Sequence, residues 1–227
     1  MDNSNTKKYV EGIATYFDDK KEDNERLFYT YNRILKFLNC NQISKGNKVL
    51  DLGSGDGSFV NVCKEKSVDA IPLDAYSQNI DFEKDRLPFD NEIFDFITLT
   101  SLIEHINNPK LILGEINRIL KKDGFVIITT PNFKYCYEIF YDDPTHVKPY
   151  TKKSIERVLH MNEFKVLKTL PFLVNKSDLF WKLPYSFKIA SLIPFKNHQF
   201  RNNFLIPNFL KGKSTAMTIV AKKKNKF

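Results

Sequence analysis

The chain has 227 residues, 42% of them apolar and 27% charged, which is enough apolar material for a buried core and too much for a disordered chain. It contains no run of about 18 apolar residues, which argues against a membrane-spanning helix, and the opening MDNSNTKKYVEG lacks the apolar stretch of a secretion signal. The net charge of +8, with Lys222, Lys223, Lys224 and Lys226 crowding the C-terminus, leaves nucleic acid, anionic lipid, an acidic substrate and a plain solvated surface all open.

The first 25 or so residues are polar and expected to be loosely held. From Arg26 to Cys40 the residues Leu27, Tyr31, Ile34, Leu35 and Leu38 recur at helical spacing and predict an amphipathic helix. Lys48 to Leu52 reads as a short buried strand closed by Gly53-Ser54-Gly55-Asp56-Gly57. Ser58 to Lys66 has helical character, and Ala70 to Asp74 reads as a second strand. Phe94 to Leu99 is a third. Asn108 and Pro109 then open a helix with Ile112, Ile116, Ile119 and Leu120 on one face, and Gly124 is expected to be its exit. Phe125 to Thr129 follows as a β-branched strand, then a helix from about Lys152 to Met161 and strands near Phe164 to Leu170 and Ala216 to Ala221. Strands alternating with helices imply an α/β fold with a mostly parallel sheet and helices on both faces. Three cysteines, Cys40, Cys63 and Cys136, lie far apart without metal-type spacing and read as free thiols in a reducing cytoplasm.

The segment from Val49 to Gly57 carries the most chemistry. A glycine-rich turn between a buried strand and a helix brings backbone close to a ligand and aims amides at it. The glycines here are spaced G-x-G-x-G, with an aspartate two residues before the first; the dinucleotide pattern G-x-G-x-x-G is not met. Asp74, 17 positions beyond Gly57, stands where α/β nucleoside sites place a carboxylate for two ribose hydroxyls, or else is a loop aspartate that caps a helix.

Val49-Leu50-Asp51-Leu52-Gly53-Ser54-Gly55-Asp56-Gly57 resembles the first motif of the class I S-adenosylmethionine-dependent methyltransferases. Asp81 to Phe89 with Phe94-Asp95, Glu115 to Gly124, and Thr130-Pro131-Asn132 resemble later stretches of the same superfamily, in the same order, over roughly residues 45–170. The resemblance implies a Rossmann-like, seven-stranded-type sheet with an antiparallel last strand, and S-adenosyl-L-methionine as cofactor. It implies one domain: an N-terminal helical region (1–44), a cofactor-binding core (45–170), an insertion or lid (171–213), and a last strand with a basic tail (214–227). Gly53, Gly55 and Gly57 would shape the loop under the methionine part of the cofactor, with Asp51 near its amino group. Asp74 would hold the ribose hydroxyls, Asp81 and Phe82 would lie against adenine, and Ser101 would border the sulfonium.

The sequence departs from the family in three places. Six residues separate Asp74 from Asp81, too few for a crossover helix between parallel strands, so the third strand is reduced or that edge rearranged. Asp123 stands where the family has proline or glycine. Asn162-Glu163-Phe164 replaces the familiar Gly-Phe after the later helix.

Methylating a hydroxyl calls for removal of its proton, by a base or with a metal. Glu104-His105 resembles the Glu-His pair of ubiquinone-type O-methyltransferases, some of which use it with an earlier glutamate as metal ligands. Ser101 stands at that earlier position, so no metal is expected and His105 is read as structural or supporting. The loop Tyr141-Asp142-Asp143-Pro144-Thr145-His146-Val147-Lys148-Pro149-Tyr150 is the stronger candidate, with His146 as general base and Asp142 or Asp143 behind it; the plainer reading is a turn with Thr151 capping the next helix. Its wording resembles methyltransferases encoded among cell-surface polysaccharide genes, which implies a sugar hydroxyl as acceptor.

Pro171 to Lys213 holds Phe172, Phe180, Trp181, Tyr185, Phe187, Phe195, Phe200, Phe204 and Phe209 among lysines. A lid over the acceptor pocket is expected first, peripheral contact with a membrane surface second, and RNA third. The expected function is S-adenosylmethionine-dependent methyl transfer to a small-molecule or glycan hydroxyl in the cytoplasm. An RNA methyltransferase and a non-catalytic cofactor-binding scaffold stand as the alternatives.

Overall fold

The computed structural model describes residues 20–173 and 214–224, with side chains from residue 24 onward. The aromatic insertion expected to form a lid falls largely outside the described residues.

Helix α1 (Lys20–Phe37) leads into strand β1 (Lys48–Leu52), helix α2 (Ser58–Glu65) and strand β2 (Asp69–Leu73). Strand β3 (Phe94–Thr100), helix α3 (Lys110–Ile119) and strand β4 (Leu120–Pro131) follow. A four-residue helix α4 (Phe133–Cys136), helix α5 (Lys152–Met161), and strands β5 (Phe164–Pro171) and β6 (Ala216–Lys223) complete the described chain. The six strands form one sheet in the order β2-β1-β3-β4-β6-β5. β1 to β4 run parallel, and β6 lies antiparallel between β4 and β5.

Alternate residues of each strand serve alternate faces, as the pleat requires. Leu50, Leu52, Ile97, Leu99, Val126, Ile128 and Ile219 face α3 and α5, packing with Ile112, Leu113, Ile116, Ile155 and Leu159. Val49, Phe96, Ile127 and Val220 face the other way, against Leu27, Tyr31, Ile34 and Leu35 of α1 and Phe59 of α2. The helical spacing read from α1 therefore marks its buried side, and the helices cover both faces.

The edge beyond β2 is where this fold departs from a seven-stranded sheet. Residues 74–93 form turns, and no strand forms there. With six residues after Asp74 the chain cannot cross over and return parallel. Two side chains hold this segment instead. Arg118 pairs with Glu115 through two hydrogen bonds (2.6 and 2.9 Å) and donates to the carbonyls of Leu87 and Phe89. Glu115 in turn accepts from the Leu87 amide (2.9 Å). The Glu-x-x-Arg pair of α3 is the clamp on this loop, and the guanidinium keeps Glu115 below the ordinary carboxylate range.

Gly124 is not the exit of α3. The helix ends at Ile119, and Leu120 already pairs with Phe94. A Cβ on Gly124 would lie 2.8 Å from the Leu120 side chain and 3.0 Å from the Asp95 carbonyl, so glycine is needed there for close packing. After α5, Glu163 takes the left-handed backbone (φ 63°) at the place where the resemblance implies glycine, a conformation that disfavours a side chain. At the other end of α5 Thr151 and Ser154 form a reciprocal capping box. The insertion between β5 and β6 leaves and returns at one place: Ser214 donates its hydroxyl to the Phe172 carbonyl (2.6 Å), and the Thr215 carbonyl accepts from the Asn132 amide (2.7 Å).

Candidate active site at the C-terminal edge of the sheet

Parallel strands deliver their C-terminal ends to one side of the sheet, and the loops there form a crevice. β1 delivers Gly53 to Gly57, β2 delivers Asp74, β3 delivers Ser101 and the turn Ile103–His105, and β4 delivers Asn132 and the loop to Tyr150.

The glycine loop bends through left-handed backbone at Gly53, Gly55 and Gly57 (φ 70°, 54° and 75°). Gly53 also needs to lack a side chain, since a Cβ there would meet Leu102 at 3.0 Å. Nothing lies within 4 Å of the Cβ positions of Gly55 and Gly57, so the tip of the loop is open to a ligand. Asp74 latches the loop by accepting from the Gly55 amide (3.1 Å) and accepts from the Tyr76 amide (3.0 Å). Asp51 lies behind the loop, buried, and accepts from the Thr98 hydroxyl (2.6 Å). Burial raises its carboxyl to about 7; the Thr98 bond opposes this and the negative Asp74 adds to it.

Asp81 closes its own turn, accepting from the Glu83 amide (2.9 Å) and pairing with Lys84 (2.6 Å), which holds its carboxyl below the usual range. Phe82 is buried in the core between sheet and α3. Ser101 is exposed at the end of β3 in left-handed backbone (φ 51°), its amide bonded to the Thr129 carbonyl.

On the other side of the crevice the loop after β4 folds over the turn after β3. The Glu104 carbonyl accepts from the amides of Val147 (3.0 Å) and Lys148 (2.9 Å), and this pins the two loops together. The rings of His105 and His146 consequently sit 4.8 Å apart, centroid to centroid. His146 Nδ1 lies 2.6 Å from the Phe140 carbonyl oxygen, which can only accept, so the proton is on Nδ1 and Nε2 carries the lone pair. His105 Nδ1 is likewise held by the Thr145 carbonyl (3.1 Å). Asp143 Oδ2 is 3.7 Å from His146 Nε2, while its Oδ1 accepts from the Thr145 amide and hydroxyl. Burial pushes Asp143 up, but the Thr145 bonds and the two imidazoles outweigh it and hold its carboxyl low. Asp142 is exposed.

Glu104 is fully buried, accepts from the Thr130 hydroxyl at Oε2 (3.0 Å), and has no hydrogen-bond partner at Oε1 among the described residues. Burial raises its carboxyl to about 7, against its own backbone amide and the Thr130 hydroxyl and with help from Asp143. Among the described residues three further buried polar side-chain atoms lack a partner, and two of them, Asn132 Oδ1 and the Tyr150 hydroxyl, belong to the same loops. An orphaned buried polar atom costs about 1–3 kcal/mol, and its recurrence in one pair of loops marks a place built for something other than stability. Sequence reading found Glu104-His105 and Asp143 with His146 as two rival candidates; the structure makes them neighbours. Thr130, which holds the Glu104 carboxyl, is marked in the sequence only as part of the Thr130-Pro131-Asn132 stretch, and Leu102, which packs on Gly53, gives no signal of its own.

A family model described as a methyltransferase domain matches residues 23–169. An uncharacterised protein of Methanocaldococcus jannaschii is 29% identical over 182 residues, which is 72% of this chain and 78% of that protein. A ubiquinone biosynthesis O-methyltransferase of Pelagibacter ubique is 27% identical over 104 residues, 39% of this chain and 43% of that protein. The crystal structure of an S-adenosylmethionine-dependent methyltransferase from Archaeoglobus fulgidus superposes with a TM-score of 0.55 at 22% identity, covering 88% of this chain and 94% of the other, and speaks for the fold.

Proposed function

Because the chain belongs to the methyltransferase-domain family and is an S-adenosylmethionine-dependent methyltransferase, we propose that its acceptor is a hydroxyl oxygen of a sugar, glycan or other small molecule. The observation that carries this reading is the packing of His146, with Asp143 beside it, against Glu104-His105 at the same edge of the sheet as the glycine loop.

The cofactor fits the β1–β2 edge: the loop tip is open at Gly55 and Gly57, and carboxylates stand behind it (Asp51) and at its rim (Asp74). Asp51 would meet the cofactor's amino group and Asp74 its ribose hydroxyls, and Ser101 would stand between the cofactor and the acceptor. Asp81 and Phe82 would reach adenine only from the turn that Lys84 and Glu83 hold closed. When bound, the cofactor supplies a methyl group on a sulfonium, already a good leaving group. The chain's contribution is to align the hydroxyl with that methyl carbon and to take its proton. With Nδ1 committed to the Phe140 carbonyl, His146 offers Nε2 to the hydroxyl proton in the metal-free site. As the oxygen–methyl bond forms, the proton passes to Nε2, and the imidazolium gains the Asp143 carboxylate as its counter-ion. The relative named a ubiquinone biosynthesis O-methyltransferase supports oxygen as the atom methylated.

The test is methyl transfer from S-adenosylmethionine to a panel of nucleotide sugars, oligosaccharides, quinols and RNA. Labelled methyl ether on a sugar or small-molecule hydroxyl is the expected product. Turnover on RNA alone would replace this reading with the nucleic-acid one.

A further inference from the structure

We propose that Glu104, His105 and His146 form a binding site for one divalent transition-metal cation, an inference that rests on the reading that this cluster receives the acceptor.

The argument begins with lone pairs. Each of the three side chains offers a ligand atom within 4.8 Å of the other two. Both imidazoles have their Nδ1 hydrogens committed to backbone carbonyls, Phe140 for His146 and Thr145 for His105. What each ring has left to give is the Nε2 lone pair. Glu104 adds Oε1, wholly buried and without a donor among the described residues, while Thr130 holds its other oxygen. With Glu104 ionised, three electron-pair donors therefore converge with no hydrogen of their own to share. A water molecule has two hydrogens and leaves one acceptor unpaired, whereas a cation satisfies all three.

The surroundings are those of a ligand set. A metal-bound histidine donates its second ring hydrogen to a carbonyl or carboxylate, which fixes the ring and raises its basicity, and both rings here are held in that way. Tetrahedral ligands about 2.0–2.2 Å from a cation lie about 3.3–3.6 Å from one another, so closing the site from 4.8 Å takes a contraction of about 1–1.5 Å. The turn Ile103–His105 and the loop carrying His146 are already joined through the Glu104 carbonyl, so the ligands belong to one unit of backbone.

Two imidazoles and one carboxylate select zinc, cobalt, manganese or iron(II) over magnesium, which prefers oxygen and keeps its water. Three protein ligands leave further positions for the acceptor's oxygen. A cation there takes the lone pair that His146 would otherwise offer a proton, and it activates the hydroxyl by direct coordination.

The experiment is calorimetry of zinc and optical titration of cobalt(II) into metal-stripped protein, with S-adenosylhomocysteine binding measured on every variant to show that it is folded. One equivalent of cobalt with ligand-field bands is expected. His105→Ala and His146→Ala should each weaken binding at least about tenfold. His160→Ala, which removes an exposed imidazole on α5, should leave it unchanged, and millimolar magnesium should not compete. Zinc affinity equal in wild type and His146→Ala, or a loss caused by His160→Ala, overturns the proposal. Hydroxyl methylation that persists in chelator, with no cobalt bound, defeats the cation site and leaves the proposed function standing. Cobalt bound as described, with no hydroxyl methylated across the panel, does the reverse.

Discussion

The two halves of the crevice are built in different ways. The β1–β2 half is a backbone device in which three glycines in left-handed conformation and a latching aspartate sit within 22 residues of one another. The β3–β4 half is a side-chain device. Its histidines are 41 positions apart and meet because the Glu104 carbonyl accepts from two amides of the second loop and His105 Nδ1 bonds the Thr145 carbonyl. The first kind of site holds whatever ligand its family shares. The second can change its chemistry by changing a few side chains on loops whose anchor stays fixed.

If the halves are separable, substitutions should divide turnover from cofactor binding. The largest effect is expected from His146→Ala: turnover on the true acceptor falls about 10²–10⁴-fold while S-adenosylhomocysteine affinity stays within about twofold. A parallel loss of affinity would break the comparison, and near-normal turnover would remove His146 from the chemistry. Next comes Asp74→Ala, which leaves the ribose hydroxyls unpaired and unlatches the Gly55 amide. Calorimetry should show S-adenosylmethionine binding about 10- to 100-fold weaker, equivalent to about 1–3 kcal/mol.

The smallest effect sharpens the contrast within the cofactor half. Asp51 has a folded-state carboxyl near 7 against an ordinary value of 3.8, so the folded ligand-free protein holds a proton that the unfolded chain has lost. Its stabilising contribution is full below about pH 4 and is lost as pH rises through 7. Asp51→Asn should therefore raise the melting temperature of ligand-free protein at pH 8 by about 2–4 °C, leave it nearly unchanged at pH 4, and weaken cofactor binding. Equal shifts at both pH values would show that Asp51 is ionised in the ligand-free fold.

What could be read from the sequence follows the same division. The strands, the glycine loop and α5 with its Thr151 cap each depend on residues a few positions apart, and periodicity shows them. Gly124 misled because a glycine after a helix serves equally as an exit or as a close contact, and only the approach of Leu120 and Asp95 decides between them. The missing strand was foreshadowed by the short spacing after Asp74, but its replacement by the Arg118 clamp depends on contacts 29 and 31 positions away. The cluster around Glu104 was visible as two fragments; no local pattern says that they touch.

The joined ends of the chain between β5 and β6 have a consequence for how such a protein can diverge. Ser214 meets Phe172, and Thr215 meets Asn132, before the chain enters residues 174–213 and after it leaves them. To the sheet, the closure between those ends is already made, and doubling the length of a connection costs only about 0.6 kcal/mol in chain entropy. The forty residues between those ends can thus lengthen, shorten or be exchanged with little effect on the register of β5 and β6. Descendants can vary that stretch while inheriting the same sheet.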